Sequence, residues 1–216
     1  MKNLLLSSVL AYLFLGCSLG HYKKLVPVAP SDISPLKPVF GDHFNSFLFQ
    51  THITLYGKDF SGLLITKQMQ PADYRLIFTT ELGMKLFDFE FTDTAFKLHY
   101  CIPQFNRPAL LKTIQQDMKT ILMSGVSSQP VEQFSDTHNN FLISKIKQEH
   151  FTNYYFKEKS SGHILKIEHA KKQIKKTTFA LENYTEDIPG SIRVQHHNIK
   201  LNIELTLLKK LRKDTK

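Results

Sequence analysis

YRLIFTTELGMKLFDFEFTDTAFKLHYCI, residues 74–102, alternates apolar and polar positions and breaks only at turn residues. Side chains along a strand point alternately to opposite faces. Tyr74, Leu76 and Phe78 therefore share one face of a first run, Phe87, Phe89 and Phe91 one face of a second, and Phe96, Leu98, Tyr100 and Ile102 one face of a third. The remaining positions carry Arg75, Glu81, Asp88, Glu90, Lys97 and His99. Leu82-Gly83 and Thr92-Asp93 supply the turns. One apolar face and one wet face are the pattern of an antiparallel sheet packed on a single side.

The pattern extends in both directions. Upstream, FLFQTHITLYG and FSGLLITKQM complete a meander of five strands. Downstream, Pro108 opens a helix in which Leu110, Ile114, Met118 and Leu122 recur every four residues, and Gly125 can end it. VSSQPVEQFSDTHNN then reads as a polar connection. Strand-like runs resume with FLISKIKQ, HFTNYYFKEK, GHILKIEH, KKTTFALE, SIRVQHH and NIKLNIELTLL, the last with Leu201, Ile203 and Leu205 on one side. About eleven strands are more than a twisted sheet carries flat, so the sheet must curl. The predicted fold is mainly β: a strongly curved, unclosed antiparallel β-barrel covered by one main α-helix. Periodicity does not decide whether the concave side is filled solid or holds a ligand.

Composition fits this. The chain has 216 residues, 17 of them Phe, with no Trp and 42% hydrophobic residues, enough for one domain whose core is filled largely by phenylalanine. The net charge of +9 is spread over YKK, AKKQIKK and KLRKDTK rather than gathered on one helix, and no run has the aromatic and glycine spacing of an RNA-binding sheet. A solvated basic surface is expected, and no nucleic-acid partner.

At the N-terminus, Lys2 precedes an apolar stretch from Leu4 to Leu15, followed at once by Gly16-Cys17. That is the layout of an export signal. An uncleaved membrane helix is the competing reading, but the stretch gives out before the roughly 20 apolar residues a span requires. Residues 18–42 are rich in Pro and Ser with little periodicity, the composition of a tether. LFLGC resembles the lipobox of bacterial lipoproteins, with Phe14 a departure from its usual pattern. The resemblance implies a signal peptide over 1–16, acyl chains such as palmitate on Cys17, and a lipidated N-terminus and flexible tether over 17–42. A half-barrel domain over 43–209 and a basic tail over 210–216 complete the expected organisation. Lipidated Cys17 would leave Cys101 without a disulfide partner.

Two stretches, ADYRLIFTTELGMKLFDFEF and IPGSIRVQHHNIKLNIELTLL, resemble the outer-membrane lipoprotein receptor and carrier proteins of the LolA/LolB-like superfamily, and the order of strands, helix and strands is similar from Phe44 to Leu208. The absence of Trp departs from the receptor proteins. The resemblance implies a hydrophobic cavity for an acyl chain, with Leu76, Phe78, Phe87, Phe89, Phe96, Leu98, Tyr100, Leu201 and Ile203 as candidate lining. It also implies a lid presenting Leu110, Ile114 and Met118, and a protruding loop carrying Leu82, where the receptor has a leucine that helps place cargo in the membrane. The implied function is that of an envelope lipoprotein binding an acyl chain or a lipidated protein, held at the membrane by its own anchor. Ser18, where inner-membrane retention uses Asp, points to the outer membrane. The alternative is a non-enzymatic structural or protein-interaction lipoprotein with a solid core and no ligand.

Catalytic and metal signatures are missing from the sequence. It contains no HExxH, CxxC, GxSxG or P-loop. His196 and His197 would point to opposite faces of a strand, and His163 and His169 are too far apart to share a metal unaided. Cys101 with His99, and Asp88 with Glu90, are the remaining pairs; neither has a third orienting group or an implied cleft. The expectation is a protein without enzymatic activity, cofactor or metal.

Overall fold

The computed structural model describes residues 25–211, leaving out 30, 32, 42, 43, 93, 125, 127–130, 137 and 149. Its elements in chain order are β1 (Val26–Pro27), β2 (Ser46–Leu55), β3 (Lys58–Gln70), β4 (Asp73–Thr79), β5 (Lys85–Phe91), β6 (Phe96–Cys101), α1 (Pro108–Leu122), β7 (Val131–Asp136), β8 (Phe141–Lys147), β9 (Thr152–Glu158), β10 (Ile164–Lys171), β11 (Ile174–Thr185), β12 (Ile188–His196) and β13 (Leu201–Leu211). They form one 13-stranded sheet in the order β1-β7-β8-β9-β10-β11-β12-β13-β2-β3-β4-β5-β6. Two meanders, β2 to β6 and β7 to β13, join where β13 pairs with β2, and the sheet stays open between its edges β1 and β6.

Local chemistry sets the hairpins. The β2–β3 turn is Tyr56-Gly57 with both residues at positive φ, the two-residue turn whose twist matches that of the flanking strands. Gly62 faces β4 so closely that a Cβ there would lie 1.9 Å from the Thr79 carbonyl oxygen, so only glycine lets the backbones approach at this bend. In α1, Pro108 occupies the first turn, where its missing N–H costs nothing, and Met123 ends the helix in the left-handed region, its N–H bonding to the Lys119 and Thr120 carbonyls.

Leu110, Ile114, Met118, Ile121 and Leu122 turn inward and join the concave face of the sheet in one core. Phenylalanine dominates that core: Phe40, Phe44, Phe47 and Phe49 form one ring cluster, and Phe60, Phe78, Phe87 and Phe105 another. A smaller apolar cluster, Ile143, Tyr154, Phe156 and Ala170, sits on the outer face. There both faces of β9 are buried, and alternation of polar and apolar residues fails.

Two strands fall where the sequence signals a connection and a tether. β7 is VEQFSD, within the stretch expected to be a polar connection; its Gln133 points inward, accepting from the Ser34 N–H and donating to the Ser34 carbonyl and the Ser144 hydroxyl. A polar residue satisfied at an inward position hides the strand's period. β1 pairs with β7, and the chain then crosses the concave side, burying Val39 and Phe40 in the main core with Leu36 packed against it. Part of the expected tether over 17–42 is thus packed against the sheet. The segment over 1–16, Cys17 and residues 212–216 of the basic tail lie outside the described residues.

Candidate functional site

The concave face beneath α1 is where the sequence places a ligand. Leu76, Phe78 and Phe89 have 0% exposure, Phe87 1%, Leu201 0% and Ile203 2%. Leu110, Ile114 and Met118 close over the same core from the helix, and Phe105 enters from the β6–α1 connection. Side chains this inaccessible border no space that a water-sized sphere could occupy, so around these candidates the half-barrel is filled by its own rings.

Phe96 and Leu98 stay on this face, the Phe96 ring 5.2 Å from that of Phe89, but on the open edge strand they are 36% and 37% exposed; Tyr100, 46% exposed, leaves the face. Their alternation is also interrupted. A register shift in the β5–β6 pairing sets Leu98 opposite Phe89 and Tyr100 opposite Asp88, and Cys101 opposite Phe87. Paired residues share a face, so the bulge moves Tyr100 to the outer side and gives the inward position to Cys101. His99 meets Glu90 on the outer face at 3.1 Å, so it does not face Cys101. Burial pushes the Cys101 thiol up to about 11, which leaves it a poor nucleophile.

Asp88 and Glu90 do not form an acid pair. Burial favours protonated Asp88, but hydrogen bonds from Arg75 at 3.0 Å and Lys85 at 2.7 Å outweigh it and hold the carboxyl below its ordinary value. Asp88 is an ionised structural anchor. Leu82 stands at the tip of the β4–β5 hairpin with 98% exposure, and Met84 beside it with 62%.

The concave face also carries polar residues, two of which, His169 and His196, the sequence reading weighs only as metal ligands. Asn153, His169, Thr177 and His196 are successive cross-strand partners over β9, β10, β11 and β12, making a transverse polar row near one end of the sheet. Asp117, on the buried side of α1, reaches this row. Its Oδ1 lies 3.2 Å from His196 Nε2, while His196 Nδ1 donates to the Leu201 carbonyl at 3.0 Å. Asp117 Oδ2 lies 3.1 Å from the same Nε2 but accepts no hydrogen bond of its own. Burial raises the Asp117 carboxyl above its usual range. Burial also lowers the His196 imidazole, but the Asp117 hydrogen bond and charge more than reverse this, so the pair holds a proton more tightly folded than unfolded. The signal was present in the sequence: Asp117 interrupts an apolar stripe, and His196 continues the inward series of Ile192 and Val194.

His169 behaves oppositely. Burial, aided by His196, pushes its pKa down to about 4, and its Nδ1 pairs with Asn153 Oδ1 at 2.8 Å. A neutral histidine in the fold contributes stability above its unfolded pKa of about 6.5 that is lost as pH falls towards the folded value. The urea midpoint should therefore decline between pH 6.5 and about 4, and His169→Gln should flatten that limb. An unchanged limb in the variant would refute the assignment.

No family model matches the sequence, and no curated protein matches it. Among solved structures, a LolA superfamily protein from Nitrosomonas europaea is similar over 80% of this chain and 88% of its own, with a TM-score of 0.53 and 8% identity. A DUF1329 family protein from Desulfovibrio piger overlaps 81% of this chain and 88% of its own at 8% identity, but with a TM-score of 0.44 that likeness carries no argument. At such identity the similarity is one of fold. An open antiparallel sheet, curled around a single covering helix, gives this chain the LolA-like fold.

Proposed function

We propose that this chain is a lipid-anchored bacterial envelope protein whose half-barrel takes an acyl chain, or the lipidated end of another protein, between the concave sheet and α1. The supporting observation is the largely apolar contact of one helix with a Phe-rich concave face, interrupted by the Asp117–His196 pair, in a fold shared with a LolA superfamily protein. Because rings fill the interior around the described lining residues, an acyl chain there enters by displacing α1 or the segment around Phe40. The protein acts by binding and not by catalysis.

Lipid extracted from protein purified without residues 1–16, together with uptake of a fluorescent palmitate analogue, tests this reading. Bound acyl lipid and saturable uptake are expected; a lipid-free protein with no uptake would sink it. A second reading, an interaction module with a solid core, has one specific observation in its favour: the near-zero exposure of Leu76, Phe78 and Phe89.

Anchoring is separable. Cys17→Ser should release the protein from the membrane fraction on fractionation, since lipid anchorage at about 0.8 kcal/mol per buried methylene depends wholly on that sulfur and the amine it frees. Membrane retention of the variant would favour an uncleaved helix.

A further inference from the structure

The strands place their connections at two ends of the half-barrel, and charge is divided between those ends. At one end lie the β2–β3, β4–β5, β6–α1, β8–β9, β10–β11 and β12–β13 connections. With the strand residues flanking them, they carry Lys58, Arg107, Lys171, Lys172 and Lys200, all exposed, against Asp59, which lies 3.2 Å from His52, and Glu81 among the described residues. Lys85 and Lys147 sit at the same end in ion pairs with Asp88 and Glu132. The opposite end carries Asp73, Asp136, Glu158, Glu186 and Asp187 against Lys159, with Lys97 just inside the start of β6 and Lys209 and Lys210 just inside the end of β13.

The basic end is also apolar at its tips. Tyr56 and Ile174, in the β2–β3 and β10–β11 hairpins, are 55% and 54% exposed. Exposed apolar tips among lysines match the chemistry of an anionic bilayer, whose phosphates attract the cations while the interface accepts the apolar groups. An acidic protein surface would satisfy the lysines but not require the tips.

We infer that this basic rim is a docking surface for anionic membranes. The inference rests on the charge division and on Tyr56 and Ile174, not on Leu82 or on the acyl-binding reading. It is also separate from the proposed N-terminal anchor: β1 runs antiparallel to β7, so Leu25, the first described residue, lies at the acidic end.

Co-sedimentation of the full-length chain with vesicles of phosphatidylcholine, with and without phosphatidylglycerol, tests it. Preference for the anionic vesicles, screened by salt, is expected. Combined Lys58→Glu, Lys171→Glu, Lys172→Glu and Lys200→Glu should lower anionic-vesicle partitioning by at least about a hundredfold, since each lysine near the surface contributes about fivefold. Lys209→Glu with Lys210→Glu, at the other end, should keep the preference. The chain has no Trp, so Tyr56→Trp and Met69→Trp each install a single fluorophore. Tyr56→Trp should shift to the blue on anionic vesicles, and Met69→Trp, at the acidic end, should not. Retained preference in the fourfold variant, equal loss in the Lys209/Lys210 control, or a blue shift only at Met69→Trp would overturn the inference.

Discussion

Asp117→Ala is expected to lower folding stability by about 3 kcal/mol, read as a drop in the urea midpoint with the slope unchanged, and to raise uptake of a fluorescent palmitate analogue. The stability loss follows from what remains behind. His196 would keep its Leu201 carbonyl partner but lose the acceptor at Nε2, leaving a buried polar nitrogen unpaired beneath the helix. Removing both partners should cost less: Asp117→Leu with His196→Leu replaces a desolvated pair by apolar contacts and should recover most of the loss. The pair's pH signature checks the mechanism. Because its proton is held more tightly in the fold, the pair's contribution is complete below the unfolded histidine value of about 6.5 and fades as pH rises through the folded value. The single variant should lack that alkaline decline. Since Asp117 is the polar contact fixing α1 to the sheet at this point, its loss should also free the helix to admit an acyl chain. A variant that loses stability without gaining uptake would show that α1 is not the moving cover.

The sequence exposed much of this architecture because strands with a single buried face announce themselves. Leu201, Ile203 and Leu205 in β13 and Leu76 and Phe78 in β4 alternate cleanly, and all are buried as expected. The signal failed where burial was two-sided or polar. Gln133 made β7 look like a connection, because its inward amide is satisfied by Ser34, 99 residues away in sequence, and Ser144. Strict alternation puts Tyr100 on the concave face because an extra residue in a ladder leaves no mark on periodicity; only pairing with β5 shows the bulge. Phe40 lay in a proline-rich stretch whose composition suggests a tether, although one buried ring can hold such a stretch against a core. The Asp117–His196 contact joins a helix to a strand 79 residues further on, and no local pattern couples them.

Phe87→Ala should cost about 3–5 kcal/mol, the usual penalty for emptying a buried aromatic site, and lower the melting temperature by roughly 6–20 °C for a domain of this size. Phe87 is 1% exposed, with its ring 5.3 Å from that of Phe78, 5.1 Å from Phe89 and 5.6 Å from Phe105. Part of the loss is transfer free energy of the ring, and the rest comes from a void that three constrained neighbours cannot fill. Phe78 and Phe89 are fixed on neighbouring positions of the sheet, and Phe105 is held at the start of the helix cover, so little collapse is available. Phe87→Leu should cost markedly less because it keeps most of the packing volume. The void has a functional consequence that separates the two readings of the interior. An apolar hole of this kind stays dry and accepts an apolar guest. If the concave face receives an acyl chain, Phe87→Ala should bind the palmitate analogue more tightly than the unaltered protein while being less stable without it, and added ligand should recover part of the lost melting temperature. Recovery that saturates with ligand would place the chain among these rings. A destabilised variant that gains neither affinity nor ligand-dependent recovery would favour a core built only to be solid.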